Sequence, residues 1–318
     1  MARLNIYIPD ELHELAAAWR GSKNLSAICA RALREELEAA DTFRSAETFL
    51  TAIRGSTPIE NALKAQYGLH DAVVCAPPAD SVDLRAVLGK SAAAYLDRNL
   101  SEGAVLGIAG GRQSWCVVRE MTPRHLRITI TGVGIDQHDP KVLHVHPNTL
   151  TTLMWLLYSP RADAHLVGAQ AFPTLWNLDD EPVADNAKYF VLGSCAQFDL
   201  NSPFAQLLGG DVAHSLGKSH VTGDFGYVFF GPKGEPRPAP KWSVHTSIFS
   251  RESLVRLRMR RDARVILVAG GADKLPVIRA TLAANLCNVL ITDAASARKL
   301  LGEGSTRSNL ARQRRRRG

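Results

Sequence analysis

The last third of the chain sets the strongest constraint on its fold. RVILVAGG and NVLITDA are continuous apolar runs of strand length, and LPVIRATLAANL between them has helix-forming sequence. ASARKLL, after the second run, is helix-forming too. A strand that can be apolar on both sides must be covered on both sides, which is the condition of a parallel sheet. The same alternation starts at residue 59. DAVVCAP, AVLGIAGG, RITITGVG, AHLVGAQAF and YFVLGSC read as strands, and LRAVLGKSAAAYLDRNL and NTLTTLMWLLY as helices. The expected fold of residues 59–302 is therefore α/β, Rossmann-like, with a largely parallel sheet and helices on both faces.

Ligands in such folds bind outside the carboxyl ends of the strands. Small and polar residues fall there in this chain. GIAGGRQS (Gly107–Ser114) follows one strand, LGSC (Leu192–Cys195) ends another, and VAGGADK (Val268–Lys274) a third, with TGDFGYVFFG (Thr222–Gly231) repeating the pattern. Glycines let backbone N–H groups approach a phosphate, and Lys274 supplies a point charge. Gly270 and Gly271 have a plainer reading as a tight strand-to-helix turn. Thr292 and Asp293 read as a helix cap. His144 and His146, spaced to share one strand face, have no third partner at a metal-binding spacing, so no metal is expected. Asn148 is expected to cap the helix that follows them.

The first forty residues have a different grammar. Leu4, Ile6 and Ile8 alternate with Arg3, Asn5 and Tyr7, which makes a strand with one polar face. Pro9 ends it, and DELHELAAAWRG and SKNLSAICARALREELEAA follow as two helices. A single short strand needs a partner, and a second copy of the chain is the simplest one. Residues 41–58 form a linker helix and hinge, broken at Gly55, Ser56, Thr57 and Pro58.

The net charge of +7 suggests nucleic acid, but its position matters. The terminal RSNLARQRRRRG carries six arginines and no acid, and without them the net charge is 7 − 6 = +1. Residues 303–318 read as a disordered, Arg-rich tail. The head itself holds five basic groups and six acidic ones, so bulk charge does not drive it to DNA. No apolar run is long enough to span a bilayer, and MARLNIYIPDEL carries charge too early for a signal peptide. The five dispersed cysteines read as reduced thiols, and the expected location is cytoplasmic.

Residues 1–40 resemble the ribbon-helix-helix family of DNA-binding proteins (CopG, MetJ and Arc types). The resemblance implies a homodimer whose two-stranded ribbon enters the major groove of a double-stranded DNA operator. Arg3, Asn5 and Tyr7 would then face the bases, and Lys23, Asn24, Leu25 and Ser26 would meet the phosphate backbone. Leu25 stands where many relatives carry a basic residue.

Residues 59–301 resemble the sugar-binding effector domain of SorC-type, DeoR-related transcriptional regulators. IENALKAQYGLHDAVV is similar to that family's entry helix and first strand. GIAGGRQS is similar to its phosphate loop, and VAGGADKLPVIRATLAANLCNVLITDAASARKLL to its C-terminal signature. The resemblance implies a fold shared with sugar-phosphate isomerases and deaminases, and a small-molecule effector that is a phosphorylated sugar or related metabolite. It implies a phosphate loop of Gly111, Arg112, Gln113 and Ser114, with Gly193, Ser194, Asp224, Gly271 and Lys274 around it, and a homotetramer. The chain departs from the family pattern at Gln113 (usually Thr), at Gly231 (usually Asp), at Tyr227-Val228 (commonly Gly-Arg) and in its head, which is usually a helix-turn-helix.

The expected protein is thus a metabolite-responsive repressor, not an enzyme, and it needs no cofactor. The alternative is a sugar-phosphate isomerase or deaminase with an assembly module, for which Asp224 is the candidate general base. A third reading is an antitoxin-like binder of a protein partner.

Overall fold

The computed structural model describes residues 57–75, 83–135, 140–158, 163–165, 188–195, 210–238 and 246–302. Contacts divide the chain at Gly55–Ser56, and every described residue belongs to the C-terminal unit. The ribbon-helix-helix reading of residues 1–40, with its DNA-facing residues, and the Arg-rich tail reading of 303–318 lie outside the described residues.

Entry to the unit is fixed locally. Helix α1 (Pro58–Tyr67) opens on a capping box, in which Thr57 Oγ1 accepts from Glu60 N–H and Glu60 Oε2 accepts from Thr57 N–H. The other oxygen of Glu60 accepts from Val74 N–H at 2.8 Å, which ties α1 to strand β1 (Asp71–Cys75). Gly68, left-handed at φ 60°, closes the helix.

Among the described residues the main sheet runs β1, β11, β10, β5, β2, β3, β4, with β9 (Thr246–Ser247) also paired to β3. The strands are β2 (Val105–Ala109), β3 (Thr129–Ile135), β4 (Asp163–His165), β5 (Lys188–Leu192), β10 (Ala263–Val268) and β11 (Val289–Asp293). All pairings along this path are parallel, and only β9 runs antiparallel. β2, β5 and β11 are buried at every position, Lys188, Thr292 and Asp293 at the strand ends included.

Helices cover both faces. Leu63 of α1, Val277 and Ile278 of α7 (Leu275–Ala283), and Ala297 and Leu300 of α8 (Ala294–Leu301) join one core. Leu88 and Leu96 of α2 (Leu84–Asn99), Val117 of α3 (Arg112–Arg119), and Leu150 and Met154 of α4 (Pro147–Tyr158) join the other. The elements α5 (Gly210–Lys218) and α6 (Arg251–Met259) complete the helices named here. The free thiols of Cys75, Cys116 and Cys287 are buried.

Three local readings change. TGDFGYVFFG is not one more glycine-bearing strand end. It is a hairpin of β7 (Gly223–Phe225) and β8 (Val228–Phe230), which with β6 (Ser194–Cys195) makes a separate antiparallel sheet. His144 and His146 do not share a strand face, because Pro140–Val145 is a 3-10 helix. His144 instead meets Trp115 edge-on, with centroids 6.0 Å apart. Asn148 does not cap α4. The helix starts at Pro147, and Asn148 N–H donates to Nδ1 of the buried His146, so the imidazole is the cap. Asp293 does cap α8, accepting from Ser296 N–H at 2.9 Å.

Candidate functional site

Connections from β2 run through β3 to β4, and those from β5 run the other way, through β10 to β11. The direction of winding therefore reverses between neighbours β2 and β5. At such a switch point the loops leave in opposite directions and open a crevice at the carboxyl ends. The two loops nearly touch: a Cβ on Gly193 would lie 3.1 Å from the carbonyl oxygen of Gly110.

After β2 the chain turns through Gly110 and Gly111 into α3. Gly111 has φ 128° and ψ 163°, a region almost closed to other residues. Its N–H donates to Val145 O at 2.8 Å, which orients the turn. Helix α3 then begins with no side-chain cap on its first N–H groups, and Arg112 is exposed beside it. An uncapped helix start concentrates partial positive charge and backbone donors, which suits an anion. Ser114 is buried, and Gln113 Nε2 donates to Arg85 O at 3.1 Å, so Gln113 ties α3 to the start of α2.

Gly193 and Ser194 follow β5, and Gly193 O accepts from Gly226 N–H at 2.9 Å. Lys274 precedes α7 and donates from Nζ to Ser194 O at 3.2 Å. The amine is thereby brought from the β10 loop to the end of β5. Gly271, left-handed at φ 90°, is differently placed: its N–H donates to Asp293 Oδ2 at 2.8 Å and to Ser296 Oγ at 3.1 Å. That donor serves the packing of β10 on α8. Burial pushes the Asp293 carboxyl up, but the hydrogen bonds from Ser296 and Gly271 outweigh it and hold the group below its ordinary value.

Asp224 is 4% exposed. One oxygen accepts from Cys195 N–H at 2.8 Å and the other from Tyr227 N–H at 3.0 Å, so the carboxylate binds the hairpin to β6. Burial pushes its pKa up from 3.8 to about 6, against the pull of those two donors and of the Lys274 charge. The buried carboxylate makes stability depend on pH. In the folded state Asp224 takes a proton at a higher pH than in the unfolded chain, so stability is gained as pH falls through about 6 and lost as pH rises through it. The wild type should gain about 3 kcal/mol over Asp224→Asn between about pH 7 and about pH 4, at 1.36 kcal/mol per pKa unit. Urea titrations of both proteins across that range measure this, and parallel pH curves would contradict it.

Sequence reasoning passed over two participants, Pro147 and Gly134. Pro147 is wedged between strand ends: Cβ atoms on Gly110 and Gly134 would lie 2.8 Å and 3.0 Å from its ring. Gly134, near the end of β3, also leaves room for the Tyr227 hydroxyl. Only the glycine at a strand terminus marked this position in advance.

A doubly covered parallel sheet with a switch point between β2 and β5 defines an α/β domain of the kind that binds ligands at its strand ends. The model of the family described as "Putative sugar-binding domain" matches residues 51–154 and 188–302, and the chain belongs to this family. It is similar to the deoxyribonucleoside regulator of Bacillus subtilis (strain 168), at 27% identity over 266 residues, 76% of this chain and 78% of the relative. Its fold is similar to that of the full-length sorbitol operon regulator SorC from Klebsiella pneumoniae, with TM-score 0.61 and 20% identity, over 93% of this chain and 100% of that one. The probable sor operon regulator from Shigella flexneri gives TM-score 0.59 at 22% identity, over 76% of this chain and 98% of the other. The chain is a metabolite-responsive transcriptional regulator of the SorC/DeoR type with a sugar-derived effector, and the enzyme alternative has no support among these relatives. No helix among the described residues is long and apolar enough to cross a membrane.

Proposed function

We propose that the protein is a DNA-binding repressor whose body takes a phosphorylated sugar or related metabolite at the carboxyl ends of β2, β5 and β10. One observation carries the reading: α3 starts on Gly111 without a side-chain cap, at the point where the winding of the sheet reverses. The phosphate sits on the N–H groups of Arg112, Gln113 and Ser114. Gly193 and Ser194 line the neighbouring strand end, and Lys274 supplies the fixed positive charge. Gly271 shapes the β10 loop, and each oxygen of Asp224 keeps a second lone pair for a sugar hydroxyl. The Bacillus subtilis relative is named for deoxyribonucleosides and the Klebsiella pneumoniae protein for sorbitol, so effectors built on a sugar or polyol agree with both.

The DNA half rests on residues 1–40. A ribbon-helix-helix dimer reads bases with Arg3, Asn5 and Tyr7, and grips phosphates around Lys23, Asn24, Leu25 and Ser26. Two such dimers in a homotetramer give the effector a spacing to change, with two sites and two states. A gel shift on the protein's own upstream DNA tests this half. Changing Arg3, Asn5 and Tyr7 together to alanine should weaken binding by roughly 100-fold or more, since a good base contact contributes about 1–3 kcal/mol. Unchanged binding would sink the ribbon reading. For the effector half, a thermal-shift screen over sugar phosphates should raise the melting point by mass action. A flat response to every compound would count against it.

A further inference from the structure

The turn joining β7 to β8 consists of Gly226 and Tyr227, both left-handed, at φ 57° and 68°. Two left-handed residues in a two-residue hairpin loop make a type I′ turn, which favours Gly, Asn and Asp. Tyrosine is strained there, and strain retained at a cleft points to a use for the side chain.

The backbone of this turn is fixed over the end of β5, through the bond from Gly226 N–H to Gly193 O. The Tyr227 hydroxyl lies 3.4 Å from where a Cβ on Gly134 would stand, near the end of β3. In the sheet β2 lies between β5 and β3. The side chain therefore crosses the end of the strand that delivers Gly111 and the start of α3. A second observation concerns charge. Gly271 N–H is already given to Asp293 and Ser296, so the glycine after β10 does not repeat the anion cradle that follows β2.

We propose that Tyr227 sets the size limit of the effector pocket and restricts this chain to short, singly phosphorylated sugars, trioses to pentoses, in preference to hexose bisphosphates. The inference rests on the reading of this crevice as the effector pocket.

Isothermal titration of the full-length protein tests both. The probes are inorganic phosphate, glyceraldehyde 3-phosphate, ribose 5-phosphate and fructose 1,6-bisphosphate. Wild-type protein should favour ribose 5-phosphate over the bisphosphate by about tenfold or more, within the range that pocket shape gives. In Tyr227→Gly, which also relieves the backbone, that ratio should collapse toward one, with the affinity for inorganic phosphate unchanged within about twofold. Tyr227→Asn, short and tolerant of the left-handed turn, gives the same readout should the glycine variant fail to fold. A wild-type protein that takes none of the four overturns the pocket reading and this inference with it. A wild-type protein that prefers the bisphosphate, or a ratio that stays put in both variants, overturns the role of Tyr227 alone.

Discussion

Asn288→Ala is expected to destabilise the body by about 2–4 kcal/mol, through three hydrogen bonds lost together from one side chain. Asn288 is 3% exposed and stands just before β11. Its Oδ1 accepts from Val265 N–H at 2.8 Å, while Nδ2 donates to Arg258 O at 3.1 Å and to Ala263 O at 2.9 Å. Its own carbonyl accepts from His70 and Asp71 N–H groups, at 2.8 Å and 3.2 Å. One side chain thus joins the end of α6 to the start of β10, while its backbone joins β1 to β11. Alanine leaves the Val265 N–H buried without this partner and takes one bond each from the half-buried Arg258 O and from Ala263 O, which keeps a bond from Arg264 Nη1 at 3.0 Å. A buried group left unpaired costs about 1–3 kcal/mol when no water replaces the amide. In urea the midpoint should fall with the slope unchanged, and the melting temperature should fall by roughly 2–4 °C per kcal/mol. A loss under about 1 kcal/mol would mean that water fills the gap. Asn288 lies at the amino end of the strands, opposite the crevice, so the folded variant should bind effector as the wild type does.

Asn288 also shows where the sequence is legible and where it is not. The apolar cores of VLGIA, YFVL, RVILV and VLITD announce strands, because a doubly covered strand is largely apolar, while DAVVC at the sheet edge is only partly buried. The glycines at Gly111 and Gly193 could be assigned to strand ends for the same reason. The neighbours of each strand could not. That β2 lies beside β5, which places the crevice, follows from sheet order and not from any local pattern. Asp224 was legible as a polar residue near a strand end, yet its partner Cys195 N–H is 29 positions away. Gly271 was legible as part of a tight strand-to-helix turn, but the carboxylate that takes its N–H belongs to a cap 22 residues on. The hairpin around Tyr227 escaped notice because Gly-Tyr is a poor signal for a type I′ turn, where Asn-Gly is the strong one. Among the described residues three non-glycine positions have a positive φ, His220, Tyr227 and Asn285, and of these Tyr227 is the one whose turn is bonded to the end of β5.

Gly111→Ala should separate shape from space in the anion cradle. A Cβ at this position would meet nothing within 4 Å, so no clash opposes the methyl group. The obstacle is the backbone: at φ 128° and ψ 163° a residue with a Cβ pays about 1–3 kcal/mol. The chain can relieve that strain by rotating toward the ordinary extended region, which swings the peptide planes on either side. Those planes include the N–H of Gly111 held by Val145 O and the first free donor of α3. A melting temperature lower by roughly 2–10 °C is expected, together with effector affinity weaker by about 10- to 100-fold, since charge-assisted donors contribute about 1.5–3 kcal/mol. Gly68→Ala supplies the comparison. Gly68 is also left-handed, at φ 60°, but caps α1 away from the crevice. It should cost about 1 kcal/mol of stability and leave titrations with effector unchanged. Equal loss of affinity in the two variants would show that binding follows general stability. Loss in Gly111→Ala alone would place the phosphate on the turn that only glycine makes without strain.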